Sequence, residues 1–120
     1  RADSLGEHAE PYYYKGIYYA AINDKKKALL AFDEAIKHDY TFFDSYIEKG
    51  SILFEMKKYT EALKVLNLAL TISPKYPETY YWIAKCQQAL GQKEEAKLNF
   101  QRAFSLDQGF KAAKDSADKL

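Results

Sequence analysis

The chain has 120 residues, enough for one domain, and its 18 Lys and Arg against 17 Asp and Glu leave a net charge of +1. That balance offers no basic surface for nucleic acid or an anionic membrane, and no stretch approaches the ~18 apolar residues of a membrane span. The single cysteine, Cys86, rules out an internal disulfide framework; this suits the cytosol without deciding the compartment.

Residues 1–8 are polar, lack a sustained period and read as a leader or frayed start. No signal peptide is visible in them, and the start at Arg1 reads as a fragment or a processed chain. From about residue 9 the pattern is helical, with Pro11 placed where a first helical turn tolerates it. Tyr12, Lys15, Gly16, Tyr19 and Ile22 follow at helical spacing. Asn23 suits a left-handed helix stop and Asp24 an N-cap for the next helix, which carries Ala28, Ala31, Phe32, Ala35 and Ile36.

A second pair of helices is marked by Tyr46, Gly50, Leu53 and Phe54, then by Ala62, Leu66, Ala69 and Leu70, and Pro74 closes it. A third is marked by Tyr80, Ile83, Ala84 and Leu90, with Gly91 as a stop, then by Ala96, Phe100, Ala103 and Phe104. A last amphipathic segment sets Phe110, Ala113, Ala117 and Leu120 on one stripe and predicts a capping helix.

The pairs share one ruler. Ala28, Ala62 and Ala96 are 34 residues apart, as are Ala35, Ala69 and Ala103, and Tyr12, Tyr46 and Tyr80. Antiparallel helices approach closely only where small side chains meet, which Gly16, Gly50 and Ala84 supply opposite those alanines. A fixed period of this length signals stacked repeats whose extended surface binds rather than catalyses.

These residues resemble the tetratricopeptide repeat, a 34-residue helix–turn–helix unit. The pattern covers 9–42, 43–76 and 77–110, with 111–120 as a C-terminal cap. The resemblance implies an all-α, right-handed superhelical solenoid of antiparallel helix pairs, about seven helices in one domain. Lys15 and Lys49 depart from the family's Leu, Tyr40 and Gln108 from its Pro, and Gln87 from a large apolar residue; His38 stands where the other units have Ile72 and Leu106.

In this family the first helix of each pair lines the concave face. Carried over, the groove presents Glu10, Tyr13, Ile17 and Ala20, then Asp44, Ile47, Ser51, Phe54 and Glu55, then Glu78, Tyr81, Lys85 and Gln88. The acids Glu10, Asp44 and Glu78 keep the 34 spacing, and the middle is apolar and aromatic. The acids fit two roles, complementing helix dipoles or meeting a basic ligand; the aromatics fit packing or ligand contact. Family members that clamp the C-terminal carboxylate of chaperones use Lys, Arg and Asn on these helices. The matching sites here are Tyr13, Ile17, Glu48, Glu78 and Trp82, which predicts no binding of acidic chaperone tails.

The expected function is a non-enzymatic protein-interaction scaffold that takes a peptide or protein segment of apolar and basic character in the groove. The alternative is a structural module whose Tyr-rich first helix stacks on another domain of the parent chain or on a second copy. No phosphate-cradling loop, Cys pair or His-x-x-x-His motif occurs, so no cofactor, metal or catalytic residue is expected. Cys86, among Trp82, Ile83 and Leu90, reads as a small core residue.

Overall fold

The computed structural model describes residues 5–120, with side-chain surroundings given from residue 8 onward. Seven helices and no strand occur among them: α1 (Leu5–Ala21), α2 (Lys25–His38), α3 (Phe43–Glu55), α4 (Tyr59–Ile72), α5 (Pro77–Ala89), α6 (Lys93–Leu106) and α7 (Lys111–Asp118). Each helix packs on the next, and α3 also touches α1 and α5, so the helix pairs stack into a solenoid of 46 × 28 × 22 Å.

The expected breaks inside the pairs are all present. Asn23, Lys57 and Gly91 share the 34-residue register and all take positive φ (63°, 64° and 83°). At each, the next amide reaches back to the carbonyl five residues earlier: Asp24 to Tyr19, Lys58 to Leu53, Gln92 to Gln87. This closes the last turn of a helix and reverses the chain. Asp24 caps α2, its carboxylate accepting the Lys27 amide at 3.2 Å. The lysines that begin α2 oppose its dipole, but Lys25 approaches Glu55 at 3.9 Å and Lys27 lies over the Tyr19 ring at 5.6 Å. Lys57 holds a left-handed conformation that costs a side-chain-bearing residue roughly 1–2 kcal/mol. Lys57→Gly relieves that strain against the entropy glycine loses, and is expected to stabilise the fold by about 0.5–1 kcal/mol in urea denaturation.

The small residues do what their spacing predicts. Ala28, Ala62, Ala96, Phe32, Leu66 and Phe100 are all fully buried. A Cβ on Gly16 would stand 2.6 Å from the Phe32 ring, and one on Gly50 2.6 Å from Leu66, so neither helix has room for one. Unit three instead fits Ala84 against Phe100 in one buried cluster.

Several departures from the repeat pattern find local partners. The Tyr46 hydroxyl donates to the Tyr40 carbonyl at 2.8 Å, as Tyr80 does to Pro74 at 2.6 Å, so proline is not needed to present that carbonyl. His38 stacks on Tyr12, with ring centroids 4.8 Å apart and planes at 9°. Gln87 accepts from Asn99, which accepts in turn from Arg102. The Lys49 amine does not simply reach water: it pairs with Asp33 of the preceding unit at 2.6 Å.

One boundary differs from expectation. The leader was expected over residues 1–8, but α1 begins at Leu5, so residues 5–8 belong to the first helix; residues 1–4 lie outside the described residues. Pro11 therefore sits inside α1, where its missing N–H leaves one helix carbonyl without its usual donor.

Candidate functional site

The first helices α1, α3 and α5 lie side by side and share one face. Its expected residues fall into three groups. Glu10, Glu78 and Gln88 are exposed, while Tyr13, Ile17, Asp44, Ser51, Phe54, Tyr81 and Lys85 are half-buried. Ile47 was expected on the surface but is only 4% exposed: it packs in the central core with Tyr46, Leu53, Leu66 and Ile83. It forms a floor, not a contact surface.

The aromatics are fixed by one another. Tyr13 meets Phe32 at 5.8 Å and Phe42 at 5.2 Å; Tyr81 meets Phe100 at 5.6 Å and Phe110 at 5.0 Å. Phe54 packs edge-on to Trp82 at 5.6 Å. Such pairs add roughly 0.5–1.5 kcal/mol to simple burial, so Tyr13 and Tyr81 are structural as well as available. Lys85 lies over two of these rings, 5.4 Å from Phe54 and 5.6 Å from Tyr81, which places one cation on the α5 side of the face.

Toward the helix N-termini the face is acidic. Asp44, Glu48 and Glu78 come close enough that burial first, then Glu78 and Asp44, push the Glu48 carboxyl above the usual range. Burial also raises Asp44. Tyr76 donates to Glu78 at 3.3 Å, and its own pKa is raised by burial and by Glu78, Asp44 and Glu48. The Tyr13 hydroxyl is pushed up to about 12 by burial, with Glu48 and Asp44 adding to the effect, so it stays a neutral donor. No cation forms an ion pair with these three carboxylates among the described residues.

A carboxyl with a raised pKa in the folded state favours folding most when protonated. That contribution is complete below the ordinary carboxylate range and is lost as pH rises through the raised value. Glu48→Gln is therefore expected to raise the melting temperature near pH 7 and to change it little near pH 4, read by thermal denaturation at the two pH values.

Four residues were not expected to take part in this face. Glu48 was weighed only as a clamp mismatch, yet it stands at the centre of the acidic cluster. Phe42, Tyr76 and Phe110 sit in the inter-unit turns, and Phe42 and Phe110 pack on the face tyrosines. Their own 34-residue spacing was the available signal. Elsewhere, Cys86 is fully buried and its thiol is pushed up to about 11 by burial, which suppresses the thiolate. Among the described residues no group of three His, Cys, Asp or Glu is placed to hold a metal ion, and no helix is long and apolar enough to cross a membrane.

Two family models match within these helices. A TPR repeat family model matches residues 50–91, and a tetratricopeptide repeat model matches 77–110, the third unit as read from the spacing. The chain belongs to the tetratricopeptide repeat family. Among curated relatives, this tetratricopeptide repeat chain is 28% identical over 113 residues to heat shock protein STI1 of Saccharomyces cerevisiae, covering 93% of the chain and 19% of that protein. It is 30% identical over 107 residues to the Hsp70-Hsp90 organizing protein of Triticum aestivum, covering 89% and 18%. It thus spans about a fifth of the length of these relatives.

Two solved structures share the fold at 23% identity. The first TPR of Spaghetti (RPAP3), bound to the HSP90 peptide SRMEEVD, superposes with a TM-score of 0.92 over 95% of this chain and 90% of that one. The Arabidopsis OM64 TPR domain does so at 0.91 over 96% and 95%.

Proposed function

We propose that this domain is a protein-interaction scaffold whose first-helix face binds a segment carrying apolar or aromatic anchors and basic groups. The observation that carries the reading is the acidic cluster of Asp44, Glu48 and Glu78 beside the ring wall of Tyr13 and Tyr76. The half-buried Asp44 and Glu48 and the exposed Glu78, with no ion-pair partner among the described residues, favour an incoming Lys or Arg, and the rings offer it apolar and cation–π contact.

The family fold and the co-chaperone relatives support an interaction role. One similar domain is described with an acidic HSP90 peptide, but the chemistry of the matching sites differs here. Family members that clamp a carboxylate use Lys, Arg and Asn where this chain has Tyr13, Ile17, Glu48, Glu78 and Trp82. Two of these five are acids, and an acidic tail entering there meets like charge. The face therefore selects against such tails.

Display of a random heptapeptide library on the intact domain tests the reading. Enrichment of peptides combining Lys or Arg with apolar residues is expected, and the enrichment disappears in Glu48→Lys/Glu78→Lys. Enrichment of acidic C-terminal sequences would contradict it. Alanine substitution of Tyr13 or Tyr81 is a poorer probe, because both rings also hold the helices together.

A further inference from the structure

The 34-residue register sets one row of each first helix, continued one residue past its end, level with the others. Lys15 and Tyr18 of α1, with Ile22 just after it, correspond to Lys49, Ile52 and Met56 at α3, and to Ile83, Cys86 and Leu90 at α5. In α3 this row receives the preceding unit. Ile52 is buried with Ala28 and Phe32, Met56 packs on that cluster, and Lys49 pairs with Asp33. In α5, Ile83 and Cys86 are buried with Ala62 and Leu66 of the preceding unit. In α1 the row is open: Tyr18 is 60% and Ile22 54% exposed, with Tyr14 beside them at 63%.

We propose that this open row of α1 is a docking site for an amphipathic α-helix of a partner protein, presenting two aliphatic residues seven apart and a carboxylate four residues after the first. The internal interfaces supply that description. α2 presents Leu29 and Ile36 to the second unit, with Asp33 between them on Lys49. α4 presents Leu63 and Leu70 at the same spacing, with Asn67 between them, and there the receiving residue is Ile83 instead of lysine. An acid thus accompanies a receiving lysine, and α1 carries Lys15 in that position.

Charge and polarity argue against a second copy as the occupant. Head-to-tail stacking would bring the exposed Lys114, Asp115 and Asp118 of α7 onto Tyr18 and Ile22, burying charge against apolar surface. Pairing two α1 rows about a two-fold axis would offer Lys15 no carboxylate, because the row carries none. The face is separate from the acidic surface described above, so the two bindings stand or fall independently.

The probe is a hydrocarbon-stapled helical peptide with Leu, Asp and Ile at the spacing of Leu29, Asp33 and Ile36 and solubilising residues elsewhere. Fluorescence anisotropy on the intact domain should show saturable binding, weakened roughly tenfold or more in Tyr18→Glu/Ile22→Glu. Both positions are exposed, and circular dichroism checks that the variant keeps its helices. Lys15→Glu should weaken the Asp peptide and recover binding when the peptide carries Lys in place of Asp. Absence of saturable binding, or binding that neither variant alters, overturns the proposal. So does a dimer in light scattering that dissociates in Tyr18→Glu/Ile22→Glu, because the face would then be filled by a second copy.

Discussion

Phe32→Ala is expected to lower the unfolding free energy by roughly 3–5 kcal/mol. Phe32 is fully buried, its ring lies directly under Gly16, and it shares a cluster with Ala28 and with Ile52 of the next unit. Removing it leaves a void that its neighbours cannot fill: Gly16 and Ala28 have no side chain to extend, and Tyr13 is held by Phe42. The same ring joins α1 to α2 and the first unit to the second, so both interfaces weaken. In a stack stabilised by nearest-neighbour interfaces the damage is local. Hydrogen exchange in the variant should quicken across α1 and α2 while α5 to α7 keep their protection. A loss under about 1 kcal/mol, or exchange that quickens evenly along the chain, would show that the first unit does not depend on this ring.

Glu48→Lys/Glu78→Lys is expected to reverse the charge preference of the first-helix face. Binding of a basic, apolar peptide should fall about tenfold or more, and an acidic peptide should gain affinity. The cause is the concentration of charge. Burial first, then Glu78 and Asp44, raise the Glu48 pKa, so a charge placed at 48 or 78 is felt by whatever occupies the space between them. The substitutions turn the two repulsions with Asp44 into attractions and leave positions 48 and 78 like-charged as before, so stability should not fall. An unchanged melting curve with changed peptide preference separates a binding effect from a folding one. Unchanged preference would place the binding surface elsewhere.

Much of the fold was legible because close helix packing has a narrow chemical solution. Only small residues suit positions such as Ala28, Ala62 and Ala96, so their spacing exposes the period directly. The chain reversals were equally readable at Asn23 and Gly91, residues that favour positive φ. Lys57 takes the same conformation without any such signature, because the packed helices on either side impose it. The start of α1 was not legible: its first residues, from Leu5 to His8, carry no apolar period, and Pro11 resembles a helix beginning more than a helix interior.

The candidate site was legible in outline and not in depth. Position within the repeat marks the face of a helix, but it does not separate a floor residue such as Ile47 from an accessible one such as Phe54. Nor does it show that Lys49 finds Asp33, since that contact exists only once two units stack. Glu48 gains its meaning from Asp44 and Glu78, one turn away on its own helix and one unit away in sequence.

The most direct test of the central claim compares two labelled heptapeptides by fluorescence anisotropy on the intact domain. One is the acidic sequence SRMEEVD; the other replaces its three acids with lysine and carries a C-terminal amide. Saturable binding of the lysine peptide, with no saturation by SRMEEVD, is the predicted result. Micromolar binding of SRMEEVD with the lysine peptide rejected would contradict the account and assign the face to acidic tails despite Glu48 and Glu78.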